Sequence, residues 1–406
     1  MQHNYDRPQL GQGERPIAER YVRRLRDAPH DAAFRLLESS PDRRATTLGE
    51  ARAAAYADGR MRRAGFRVSA DAFRTWIAPI SDTLLTLPIA ATGIALYFWF
   101  PWFGFVLVVA AFVIVALGMV RQRPLLGRAR PSQNVVGIRA AQESARRRVV
   151  LLAPLDTPHL DLFLQRVGSF GGVQRIVLFS YALIACASGL GFVFVDRIWL
   201  YLQIVACALP LIASISDAWH YFDAPSPGAV NHAGALAVLV SACESIEEFE
   251  HLEVWAVALG ASMYGNGLND FLRRYPFEPT DTLFIGLESL GGHATCYTSL
   301  EGWPAQRRTD QELLDLLAAL QADDATALTP CRYANNDSLA MALARRGFRS
   351  ISVMGLDQAG QRPRFGSALD TAEYLDAAYL EQAAQGVAAL LRHIEAQLAA
   401  HAAPPS

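Results

Sequence analysis

The sequence predicts an α/β fold: a three-layer α/β/α sandwich around a mixed, mostly parallel sheet, interrupted by two transmembrane helical hairpins. Three observations lead there. Short apolar runs alternate with helix-patterned segments over most of the 406 residues, as parallel strands joined by crossover helices do. Two long apolar stretches, at about 79–119 and 176–216, are each long enough for two crossings of a bilayer core of roughly 30 Å. Each stretch breaks near its middle, at Pro101-Trp102 and at Asp196-Arg197, where a hairpin turns.

The elements follow in order. Residues 17–37 have helical apolar spacing, punctuated by Ser40-Pro41-Asp42. An alanine-rich helix at 48–64 ends at Gly65, a C-cap signal. Residues 66–70 alternate as a strand does, and 134–139 and 148–156, between the hairpins, also read as strands. Past the second hairpin come the turn Ser226-Pro227-Gly228-Ala229, an apolar helix at 234–243, a strand at 252–260, a helix near 269–274 and a strand at 282–287. The C-terminal part adds helices at 310–321 and 338–346, a strand at 350–355 and a last helix from 377 to about 400. The chain therefore divides into an N-terminal helical part (1–75), hairpin one (76–120), strands (121–175), hairpin two (176–217), the remainder of the globular domain (218–400) and a tail (401–406).

Apolar residues make up 52 % of the chain, high for a soluble domain and consistent with four spans. The net charge of −2 and the lack of a basic stripe interleaved with aromatics argue against nucleic acid as a partner. Every fixed cation is arginine; there is no lysine. The polar start, Met1 to Arg15, has no apolar segment of the signal-peptide kind. Five cysteines show no paired spacing and read as reduced packing residues. Arg60, Arg62, Arg63, Arg67 and Arg74 precede the first hairpin, and Arg121, Arg123, Arg128, Arg130 and Arg146 to Arg148 follow it, whereas the hairpin tips hold only Arg197. The arginine bias places the chain in the inner (cytoplasmic) membrane of a bacterium, with both termini and the globular domain cytoplasmic. Within the spans the sole acidic or basic residue is Asp82, so a transport pathway finds no support. Ala90, Ala91, Gly93, Ala185, Ala187, Gly189 and Gly191 are small enough for close helix packing.

Taken in order, the globular segments resemble the di-zinc aminopeptidase family (metallopeptidase family 28). The resemblance rests on Arg43-Arg44-Ala45-Thr46-Thr47-Leu48-Gly49 before the alanine-rich helix, Asn134-Val135-Val136, Ala153-Pro154-Leu155-Asp156-Thr157, Ser226-Pro227-Gly228-Ala229-Val230-Asn231-His232, Gly260-Ala261-Ser262-Met263-Tyr264-Gly265, the strand ending at Glu288, Asn336-Asp337-Ser338, and Gly366-Ser367-Ala368-Leu369-Asp370-Thr371. It implies a zinc-exopeptidase-like sandwich with both hairpins inserted in loops.

The resemblance also implies where two zinc ions and a general base belong. The first His position is Pro154, the bridging Asp position is Asn231, and the paired Glu positions, one of them the base, are Ser262 and Met263. The last His position is Gly366; Glu288 keeps a carboxylate at an Asp position, and Asp156 stands where the family orients the lost histidine. Without these donors zinc has little to displace its water shell, and a metal-bound water has no proton acceptor. The expectation is a non-catalytic binding or scaffold protein without a cofactor, its former metal-site pocket formed by Pro154, Asp156, Asn231, Glu288 and Gly366. Its partners are the lipid bilayer and another membrane protein or a peptide-like ligand. The alternative is a divergent metal-dependent exopeptidase or hydrolase with a rearranged zinc site, drawing on Asp156, His232 and Glu288, with His159 and His293 near motif positions. Cys296 behind His293 is a weak nucleophile candidate, and Glu244, Glu247, Glu248 and Glu250 read as a solvated helix end.

Overall fold

The computed structural model describes residues 28–77, 82–121, 128–157, 170–194, 196–219, 226–303, 305–323 and 325–402. The sheet order is β1-β2-β4-β3-β5-β9-β6-β7, with β8 against β6. The strands are β1 (Arg67–Ile77), β2 (Arg128–Arg139), β3 (Arg147–Pro154), β4 (Leu252–Leu259), β5 (Thr282–Glu288), β6 (Thr295–Glu301), β7 (Arg307–Arg308), β8 (Thr329–Tyr333) and β9 (Arg349–Gly355). The central β4, β3, β5 and β9 are mutually parallel, and β2 and β6 flank them antiparallel.

Both faces of this sheet are covered, for the reason that side chains alternate along a strand. Val149, Leu151 and Ala153 face helices α1 (Pro29–Ser39), α2 (Leu48–Arg63), α7 (Gly234–Ser245), α9 (Gln311–Ala322) and α11 (Ala377–Ala402) in one core. Val150 and Leu152 face α8 (Asn266–Arg274) and α10 (Leu339–Ala344) in the other, with Trp255, Phe271 and Phe284. This is an α/β/α sandwich.

Four further helices form a separate bundle: α3 (Asp82–Tyr97), α4 (Pro101–Arg121), α5 (Phe170–Val193) and α6 (Ile198–Trp219). Each packs on two others, α3 on α4 and α6, α5 on α4 and α6. A Cβ on Gly104 of α4 would lie 2.5 Å from the Gly93 carbonyl oxygen, and one on Gly191 would lie 2.3 Å from the Tyr97 hydroxyl, so small residues set these crossings. The outside of the bundle is apolar: Val106, Phe179, Ile204, Val205 and Ile215 are more than half exposed. The stretches Ile176–Val193 and Ile198–Ile215 are long and apolar enough to cross a membrane, with mean hydropathy 2.1 and 33% and 28% of their residues buried. Leu84–Tyr97 and Pro101–Leu117 are shorter apolar helices.

The hairpins leave the sandwich from one edge. β1 and β2 pair without interruption from Arg67↔Ile138 to Ile77↔Arg128, but β2 meets β4 only from Val135↔Ala258 onward. Residues 128–134 thus run past the C-terminal end of β4 by roughly 20 Å. The chain to α5 departs from the C-terminal end of β3, and the chain from α6 returns to Ser226 beside that same edge.

Some expectations need correction. Residues 295–301, 307–308 and 329–333 are strands that the pattern did not announce, because they are short and carry no apolar run or clear alternation. The first strand runs on to Ile77 rather than ending at 70. The acidic run is not merely solvated: Glu244 receives the guanidinium of Arg60 at 2.5 Å, and that side chain is 1% exposed. Glu248 accepts from Gln142.

Candidate functional site

The ends of β3, β5 and the turns that follow β4 and α6 meet at the C-terminal edge of the parallel strands, where ligands of open α/β sheets bind. The turn into α7 is anchored first. Gly228 has φ 60°, and a Cβ there would lie 2.5 Å from Thr157 Cγ2, so only glycine fits. Arg43, fully buried, donates to the carbonyls of Ser40 (2.9 Å), Pro227 (2.9 Å) and Gly228 (3.1 Å). Residues Ala229–Ala233 then form one π-helical turn. Asp370 holds that turn, accepting the Val230 N–H at 2.7 Å, the Asn231 N–H at 3.3 Å and the Asn231 side-chain amide at 2.8 Å.

Asn231 is thereby saturated. Its amide nitrogen also donates to Pro363 O at 2.8 Å, and its oxygen accepts from Ser289 Oγ at 2.7 Å. Asp156 is buried and accepts the Ser262 N–H at 2.8 Å. Ser262 and Met263 lie in the short 3-10 turn after β4. Burial raises the Asp156 carboxyl to about 6. Glu50, near the start of α2, reaches into the same region, accepting from Ala261 N (2.8 Å), Ser132 Oγ (2.9 Å) and Thr46 N (2.6 Å). Burial, and then the charge of Asp156, raises Glu50 to about 7.

His232 is buried, its Nδ1 hydrogen-bonded to the backbone carbonyl of Asp156. Burial lowers its pKa to about 3, with repulsion from Arg43 and Arg362 acting in the same sense. The ring is therefore neutral, with the Nδ1 proton donated to that carbonyl.

Glu288 ends β5 and accepts the Leu339 N–H at the start of α10 at 2.9 Å. Its other oxygen faces the guanidinium of Arg362 at 3.7 Å. Arg362 is 4% exposed, pairs with Asp337 at 3.2 Å, donates to the Asp337 carbonyl at 3.1 Å, and lies over the rings of Tyr333 and Phe365 at 5.3 and 4.8 Å. Burial opposes the Arg362 charge, and Asp337, Tyr333 and Glu288 more than offset it, raising its pKa. One guanidinium shared by two carboxylates leaves Glu288 raised to about 7, chiefly by burial.

The structure thus gathers Pro154, Asp156, Asn231, Ser262 and Glu288 on one edge; it engages Asn231, Glu288 and one oxygen of Asp156 with protein groups, and leaves Asp156 Oδ2 buried without a hydrogen-bond partner. Gly366 has φ 66°, a backbone on which a histidine would be strained. His293 lies half-buried in a bend, and Cys296 packs with Tyr333 and Met354 inside the sheet. His159 lies outside the described residues. Among the described residues no group of three or more His, Cys, Asp or Glu is arranged to hold a metal ion. The donor set does not fit a pair of zinc ions: Pro154 offers no donor atom, Asn231 is neutral and spent, and Glu288 already faces a guanidinium. Sequence reading missed Arg362, Arg43 and Glu50 as parts of this site. The one available signal was an arginine four residues before Gly366, in Gln361-Arg362-Pro363-Arg364-Phe365.

No family model matches the chain, and no curated protein matches it. Solved structures do. A zinc aminopeptidase from Bacillus subtilis superposes with TM-score 0.56 at 13% identity, over 90% of this chain and 94% of that one. An aminopeptidase from Aneurinibacillus sp. strain AM-1 gives TM-score 0.55 at 12% identity, over 89% and 92%. A glutaminyl cyclase from Bacteroides thetaiotaomicron gives 0.51 at 13% identity, over 90% and 96%. The sandwich has a zinc-exopeptidase-like fold.

Two outcomes test the charge arrangement. Arg362→Met leaves Glu288 and Asp337 buried without their cation and should lower unfolding stability by about 3–5 kcal/mol in denaturant titrations. The pH dependence of Glu288 has a definite sign. Its folded value of about 7 lies above the ordinary 4.5, so the stability contributed by its neutral form is complete below about 4.5 and is lost as pH rises through about 7. Glu288→Gln should therefore melt at or above the wild type near pH 8 and converge with it near pH 5, in thermal melts across that range.

Proposed function

We propose that this chain is a multi-pass membrane protein whose aminopeptidase-like domain acts as a non-catalytic binding or scaffold module. The observation that carries the reading is Arg362, a buried guanidinium set against Glu288, the one carboxylate kept at a former metal-ligand position. A guanidinium there repels a divalent cation, and neither Ser262 nor Met263 carries a carboxylate where the resemblance places the general base. The structural clamps around the site, Arg43 on Pro227 and Gly228 and Asp370 on Val230 and Asn231, remain in place. These clamps fix the backbone around a donor set that does not suit two zinc ions. Such an edge suits a peptide-like ligand or a neighbouring membrane protein.

The membrane half of the reading is supported by the outer surface of the bundle. Helices in a soluble core hide most of their residues, whereas only 33% of Ile176–Val193 and 28% of Ile198–Ile215 are buried. With both hairpins leaving from one edge, an even number of crossings puts the globular domain and both termini on the same side, the cytoplasmic one by the arginine bias.

Metal analysis tests the first half. The purified chain should carry no stoichiometric zinc, and chelator should leave its melting temperature unchanged. Tightly bound zinc, or a large fall in melting temperature that added zinc reverses, would instead favour a hydrolase using Asp156, His232 and Glu288. Topology is tested by reporter fusions: those after Arg128 and at the C-terminus should score cytoplasmic and one at Pro101 external. A C-terminus scoring external overturns the orientation.

A further inference from the structure

We propose that the projecting end of the β1–β2 ladder is a binding site for anionic phospholipid headgroups; this rests on the membrane reading above. The last four residue pairs of the ladder are Arg74↔Pro131, Thr75↔Arg130, Trp76↔Ala129 and Ile77↔Arg128. Cross-strand partners share a face, so Arg128 and Arg130 lie on one face of the ribbon with Thr75, which is buried and accepts from Asn266, and Arg74 and Trp76 lie on the other. All three arginines are exposed, and Trp76 is 41% exposed. None of the three forms an ion pair with a carboxylate among the described residues.

Their isolation from acid is written into the chain. No aspartate or glutamate occurs between Asp71 and Asp82, or from there to Glu143. Arg121 and Arg123 add two more cations to the same stretch of sequence. Several arginines elsewhere in the sandwich do find carboxylates: Arg349 meets Asp310 and Glu312, Arg148 meets Glu253, and Arg62 meets Asp58.

Position selects the ligand. The ribbon runs past β4, and α3 begins five residues after Ile77, while β2 begins seven residues after α4 ends. A point so close to two apolar helices lies at headgroup depth when those helices enter lipid. There the guanidinium fork matches a phosphate diester, and an exposed tryptophan suits the interface. Because guanidiniums stand on both faces of a two-stranded ribbon, headgroups can be held on either side of it. The ribbon then works as a collar that fixes the sandwich, site edge first, against the bilayer.

The experiment uses the full-length chain extracted in detergent and exchanged into mixed phosphatidylglycerol and phosphatidylcholine, with bound lipid counted by native mass spectrometry. Wild type should retain phosphatidylglycerol over phosphatidylcholine. The triple variant Arg74→Gln, Arg128→Gln, Arg130→Gln should lose that preference tenfold or more, since each juxtamembrane cation contributes roughly fivefold. The corresponding triple Arg→Lys variant should keep most of it and serves as the folding control. Undiminished preference in the glutamine variant overturns the proposal, and so does equal displacement of the lipid by millimolar inorganic phosphate, which would mark a simple anion site. Carbonate washing of membranes separates the two readings: a wild-type chain that stays in the pellet keeps the membrane reading when the lipid preference fails, and a chain released by carbonate ends both.

Discussion

Carboxylates converge at the C-terminal edge of the parallel strands, and burying them there demands positive charge. Asp156, Glu288, Asp337 and Asp370 all approach this edge, and in a low-dielectric interior each would cost several kcal/mol if left uncompensated. The chain answers with two guanidiniums of its own. Arg43 lies among Asp370, Asp156 and Asp42, and Arg362 lies between Asp337 and Glu288. Where two arginines do not suffice, the acids shift toward their neutral forms, as Glu50 and Glu288 do. The turns that shape the edge hang on these same groups, so charge compensation and local backbone geometry are one constraint.

The backbone at that edge holds two strained turns. Ala261 and Ser289 hold positive φ values of 45° and 52° at the ends of β4 and β5. Non-glycine residues in that region store strain, which persists where surrounding contacts over-determine the chain. Here Ala261 N is held by Glu50, and Ser289 is tied to Asn231 through both its N–H and its hydroxyl. Strained turns held by several contacts each give this edge a fixed backbone geometry.

The attachment of the bundle follows from sheet topology. An antiparallel β1–β2 pair needs only a turn to connect it, so a pair of helices can be inserted there without disturbing the pairing of either strand. The ladder stays in register over its full length, from Arg67↔Ile138 to Ile77↔Arg128. The second insertion uses the loop between β3 and the Ser226 turn, on the edge where α/β folds place variable loops. Both insertions therefore face the same way, and the site edge shares that direction.

Much of this was legible in the sequence. Hydrophobic periodicity located the central strands, the alanine-rich helix and both apolar hairpins, since burial on a sheet face or in an apolar helix pair acts on each residue almost independently of its distant neighbours. Motif order pointed to the fold. What depended on long-range contact was out of reach. Strands β6, β7 and β8 are defined by pairing rather than by pattern, Arg60 is buried against a Glu244 that lies 184 residues away, and nothing local marks Arg362 as the partner of Glu288. A side chain's identity states which charges it can carry; only the tertiary structure decides which opposite charge it meets, because that choice is made by the packing of segments the sequence holds far apart.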